Sequence, residues 1–152
     1  MGLRIDPATA RQFAMALRPG AVLHLLQPLT GKHKFHVLIA ATEQRSIAFL
    51  INSRPSPFIQ NRPELLHRQV PLLIAAHPFM KHDSVIACHD SLKLPARDEL
   101  IAGLCDRSIN QVGHVHQSLF ALMASATVGS PLISVRDAEL IATAFGTPLK
   151  MP

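Results

Sequence analysis

Three short apolar segments in the first third of the chain most constrain its fold. Ala21–Leu26, Phe35–Ala41 and Ile47–Ile51 read as β-strands, short apolar runs bounded by turn residues. The Glu43-Gln44-Arg45 turn predicts a hairpin between the second and third. Before them, Asp6-Pro7 opens a predicted helix over 6–17, with an N-cap followed by proline at the first helical position. Pro19-Gly20 stops it. Val70–Ile74 is a fourth strand, placed on an edge by Pro71, and Ser84–Cys88 a fifth.

Helices close the chain. Ala96–Leu104 follows Pro95 with Asp98 and Glu99 in a first turn. Val112, Val115, Leu119, Met123 and Ala126 recur at helical spacing and predict a helix over 111–127. Ser134 caps a last helix over 134–145, with Asp137 at the capping-box position and Gly146 as its stop. Strands first and helices later indicate an α+β fold. The segment Arg54–Pro63, with three prolines, reads as an exposed loop within one domain spanning 1–152.

Hydrophobic content is 48%, yet no apolar run approaches the roughly 18 residues of a membrane span. The N-terminus lacks a secretory layout, so a soluble, cytoplasmic protein is expected. Cys88 and Cys105 make no disulfide framework and read as small core residues. The net charge of +5 is unevenly spread. Residues 1–70 hold nine Lys/Arg against three acids, whereas the remainder holds six against seven. A basic half favours a polyanionic partner such as RNA or DNA, or an acidic protein segment.

Two short runs concentrate chemistry-bearing residues. His77 to Ser84 packs two imidazoles, an ammonium, a carboxylate and a hydroxyl just before an apolar strand. Lys32-His33-Lys34 follows Thr30-Gly31 and starts the second strand. Two ammoniums flanking an imidazole suit a phosphate site, because histidine moves protons near neutral pH. Asn52-Ser53 ends the third strand, where hydroxyl and amide groups face clefts. The nine histidines show no metal-ligand spacing, and His33 and His36 should face opposite ways on a strand. No GxSxG elbow, Walker A loop or GxGxxG is present. Neither metal nor cofactor is expected.

The order Gly20 to Leu23, Lys32 to Leu38, Ile47 to Ser53, His82-Asp83-Ser84-Val85-Ile86 and the 111–127 helix resembles the PemK/MazF toxin family, in a divergent branch. The resemblance covers residues 19–128. It implies an SH3-like β-barrel with packed helices, a homodimer and an antitoxin partner. It also implies a metal-independent endoribonuclease in which the RNA 2′-hydroxyl attacks the adjacent phosphate. Lys32 matches the family lysine and Ser53 the hydroxyl after the strand. Lys34 stands where the family has arginine, keeping the charge without the bidentate fork. Phe35 replaces the usual proline, and Ala21 follows Gly20 where the family has an acidic residue.

The expected architecture is therefore a PemK-type barrel carrying an N-terminal helix and two or three C-terminal helices. The expected function is a toxin-like endoribonuclease. His33 or His82 would act as acid or base, with Lys34 and Ser53 completing the catalytic set. Lys32, Arg54, Arg62, Lys81 and Ser84 would contact RNA. The alternative is a non-catalytic PemK-like module binding protein or nucleic acid.

Overall fold

The structure, a computed structural model, describes residues 5–27 and 30–146. Its centre is a curled six-stranded antiparallel sheet with strand order β4-β5-β3-β2-β1-β6, and the chain is α+β. The strands are β1 (Ala21–Gln27), β2 (Lys32–Ala41), β3 (Ser46–Asn52), β4 (Gln69–Leu72), β5 (Ser84–Leu94) and β6 (Asn110–His114). Helix α1 (Pro7–Ala14) precedes the sheet, while α2 (Pro57–Gln60) and α3 (Pro63–Leu66) lie between β3 and β4. Helix α4 (Arg97–Asp106) joins β5 to β6, and α5 (Phe120–Thr127) and α6 (Val135–Phe145) follow. No described helix is long and apolar enough to cross a membrane.

Side-chain alternation along the strands divides the core in two. One face presents Val22, Val37, Phe49, Ile51, Ile86 and Cys88 to α5, α6 and the 77–84 loop, which inserts Met80. The other presents Leu23, Leu25, Leu38 and Ala48 to Leu17, Leu100 and Ile101, under α1 and α4. Arg45 on the first side donates to Asp137 of α6 at 2.5 Å, and the Ser91 hydroxyl donates to the same carboxylate at 2.7 Å. This buried carboxylate ties the helix layer to the sheet.

Local signals explain several boundaries. Asp6 caps α1 through the Thr9 N–H at 3.0 Å, and a single 3-10 turn over Met15–Leu17 completes the predicted 6–17 helix. Ser134 accepts the Asp137 N–H at 3.1 Å to start α6. The β2–β3 hairpin forms as expected, and β4 lies at the sheet edge.

Three expectations require correction. The segment Arg54–Pro63 is not simple loop: Pro57 and Pro63 each occupy the first turn of a short helix, where a missing N–H costs nothing. The predicted helix over 111–127 is three elements, with β6, a 3-10 turn at Gln117–Leu119 and α5. Residues 110–114 pair with β1, whose edge would otherwise expose unsatisfied backbone groups. The Phe79 ring packs over Gly113, where a Cβ would lie 2.3 Å from Cδ2. Helical spacing there records burial against the first core, not backbone conformation. Lastly, Cys88 is buried as expected, whereas Cys105 is exposed near the end of α4. Burial pushes the Cys88 thiol upward, out of the thiolate range.

Candidate functional site at one end of the sheet

Antiparallel pairing brings the end of β1, the start of β2, the end of β3 and the start of β5 to one end of the sheet. Gln27 pairs with Lys32, and Asn52 pairs with Val85. The Thr30-Gly31 turn shapes this end. Gly31 has φ +67°, and the Thr30 hydroxyl donates to the Gln27 side chain at 3.0 Å. His33, Lys34, Ser53, His82 and Ser84 therefore gather from three separate segments.

Within β2 the alternation separates them. His33 lies across from Leu26 on the face that carries Val22 and Val37, with its ring 5.5 Å from that of His24. Lys32 and Lys34 lie on the opposite face, across from Gln27 and Leu25. His33 and His36 do face opposite ways. His36 is fully buried under Leu23 and donates Nδ1–H to the Lys34 carbonyl at 3.1 Å. Burial pushes its imidazole down to about 4.

The 77–84 loop is anchored by polar groups as well as by Met80 and Phe79. His77 is buried, donating Nδ1–H to the Leu73 carbonyl at 3.0 Å and accepting the His116 N–H on Nε2 at 2.9 Å. The Asp83 carboxylate accepts the Ile74 N–H at 2.8 Å. His82 is exposed and donates Nδ1–H to the Asp83 carbonyl at 3.0 Å. Ser84 is buried with its hydroxyl 3.3 Å from His82 Nδ1. Lys81 is exposed and lies close enough to His24 to disfavour its imidazolium. Burial is the larger cause of that shift, and His33 acts in the same direction as Lys81.

Of the remaining predicted contacts, Ser53 and Arg54 are exposed just beyond β3. The Arg62 guanidinium lies 3.7 Å over the Phe58 ring and donates to the Phe58 carbonyl at 2.9 Å. The one ion pair among the described residues is Arg45–Asp137. Lys32, Lys34, Arg54 and Lys81 accordingly have no carboxylate partner there.

Beside this end, on the face of Lys34, lies a groove of about 240 Å³. Leu23, Leu25 and Leu38 of that face pack under α1 and α4, while α2 lines the groove with Phe58 and Ile59. Its polar lining is Gln27, Asn52, Ser56, His89 and Asp90. The β3–β5 ladder explains why His89 and Asp90 are available. Leu50 pairs with Ala87 but Ala48 pairs with Leu92, so Phe49 alone faces residues 88–91 and the polar run leaves the register. Burial lowers the His89 imidazole and raises the Asp90 carboxyl, and Asp137 adds to the latter shift. Sequence reasoning missed this pair. Its signal was His89-Asp90-Ser91 interrupting an otherwise apolar strand. Compared with models of known protein families and with curated proteins, the chain matches none.

Proposed function

We propose that the chain is a PemK/MazF-type endoribonuclease whose sheet end binds and cleaves RNA. The observation that carries the reading is that Lys32, Lys34, Arg54 and Lys81 lie on the segments meeting at that end with no carboxylate partner among the described residues, and that His33 and His82 are exposed on the same segments. Unneutralised Lys and Arg attract phosphates through counterion release. Histidines near neutral pH can divide acid and base work, so 2′-hydroxyl attack would need no metal. In this reading one of His33 and His82 takes the 2′-hydroxyl proton as its oxygen bonds to phosphorus, the other protonates the departing 5′-oxygen, Lys34 holds the phosphate and Ser53 positions it. The curled sheet would be the SH3-like barrel of that family. A second copy of the chain, an antitoxin protein and a cytoplasmic setting belong to the same proposal.

The test is incubation of purified protein with mixed RNA in excess EDTA. Cleavage leaving 2′,3′-cyclic phosphate ends, abolished in His33→Ala or His82→Ala, is expected. Intact RNA at every protein concentration sinks the nuclease reading.

The opposite orientation of His33 and Lys34 on β2 favours a second reading, a non-catalytic binding module. That module would retain RNA in a salt-sensitive manner and never cut it.

A further inference from the structure

The groove beside Lys34 has the size and the donors and acceptors of a base-reading subsite. Strand β2 runs between β1 and β3, so a groove lined by Gln27 and Asn52 lies next to Lys34, which itself stands outside the lining. A phosphate held by Lys34 would therefore place its neighbouring base at the mouth. The volume of about 240 Å³ lies below the roughly 300 Å³ at which pockets begin to admit drug-sized ligands, which suits one planar ring system. Leu50 and Leu92 supply apolar walls. Phe58 stands half in solvent at the rim, and Arg62 covers one of its ring faces. Aromatic and guanidinium planes of this kind support unstacked bases.

Polar groups in the groove select among bases. One Asp90 oxygen accepts the Ser91 N–H at 2.8 Å, and the other has no hydrogen-bond partner among the described residues. A half-buried carboxylate with a vacant acceptor favours a ligand rich in N–H donors. His89 accepts the Gln69 amide N–H on Nδ1 at 3.0 Å, an orientation fixed because the same amide nitrogen donates to the Leu65 carbonyl at 3.1 Å. The His89 proton is thereby held on Nε2, which makes this wall a donor. Among the four bases, guanine alone presents two adjacent N–H donors, with a carbonyl acceptor beside them.

We propose that this groove binds a single unstacked guanine of the RNA strand, read by Asp90 and His89 while Lys34 holds the adjoining phosphate. The inference rests on the RNA reading for its occupant but on the groove alone for its chemistry.

Titration of the full chain with GMP, AMP, CMP and UMP, followed by amide NMR, tests it. GMP should bind about tenfold tighter than the other three, with shifts centred on Asn52, His89 and Asp90. Asp90→Asn should remove that preference. Ala87→Leu, which fills the groove floor, should remove GMP binding while the spectrum stays dispersed. Equal binding of all four nucleotides, no binding, or shifts confined to the His24 face each overturn the proposal. RNA cleaved or retained without any guanine preference would end the groove assignment and leave the RNA reading standing. GMP bound in the groove by a protein that ignores RNA would do the reverse.

Discussion

His77 accepts the backbone N–H of His116 at 2.9 Å while its other ring nitrogen donates to the Leu73 carbonyl. One buried imidazole thus satisfies backbone groups from the turn after β4 and from the segment after β6. His77→Ala would orphan the His116 N–H, leave the Leu73 carbonyl with the Ala76 N–H alone and open a cavity. The expected loss is about 2–3 kcal/mol of unfolding free energy, read by urea denaturation. A loss below about 0.5 kcal/mol would show that the bridge does not hold the loop.

Phe79 and Gly113 form a second long-range constraint on the same loop. A methyl at Gly113 would lie 2.3 Å from the Phe79 ring. Gly113→Ala is expected to destabilise by about 1–3 kcal/mol. Phe79→Ala should relieve much of that penalty, so the double mutant is less destabilised than the sum of the singles. Strict additivity in a denaturation cycle would contradict the packing.

Acid stability should depend on His36. Its folded-state value of about 4 lies below the ordinary 6.5, so the unfolded chain binds the proton first as pH falls. The stability it contributes is complete above pH 6.5 and is lost progressively down to about pH 4. The full effect is about 3 kcal/mol. His24 and His89 are shifted the same way, whereas the raised Asp90 opposes them, adding stability as it protonates. Thermal melts of His36→Leu between pH 7 and 4 should show a clearly shallower decline than the parent. An unchanged slope would place the acid sensitivity elsewhere.

Phosphate contact by the lysines has a salt signature. Lys34→Ala should weaken RNA retention across sequences and reduce the log–log salt slope by about 0.7, the increment for one phosphate contact on a single strand. Lys32→Ala should act alike. Filter binding at several salt concentrations measures both, and a slope equal to that of the parent would remove the residue from the interface.

The thiols separate by exposure. Cys105 should react with iodoacetamide in the native state, whereas Cys88 should react only after unfolding. Peptide mass spectrometry distinguishes them, and rapid native labelling of Cys88 would contradict its place in the core.

Legibility followed the range of the interaction. The first three strands, α1, α4 and α6 were readable because period and caps lie within a few residues of each other, as with Asp6 and Thr9 or Ser134 and Asp137. The 111–127 segment was misread because its apolar spacing reports only which residues are buried. An unpaired β1 edge and the Phe79 ring made residues 110–114 a strand. The polar run 77–84 was visible as a feature, yet its local spacing does not show that His77 is buried or that His77 and the exposed Asp83 each hold backbone groups.

By itself the sequence determined the α+β class, the basic first half and the alternation that sends His33 and Lys34 to opposite sides of β2. Tertiary structure alone decided that the ends of β1, β2, β3 and β5 meet, and that His89 and Asp90 swing out opposite Phe49 into a groove beside Lys34. Local spacing sets which way a side chain points from its own strand. Which distant side chains share that space depends on strand order and register, and those are set by burying both faces of the sheet at once.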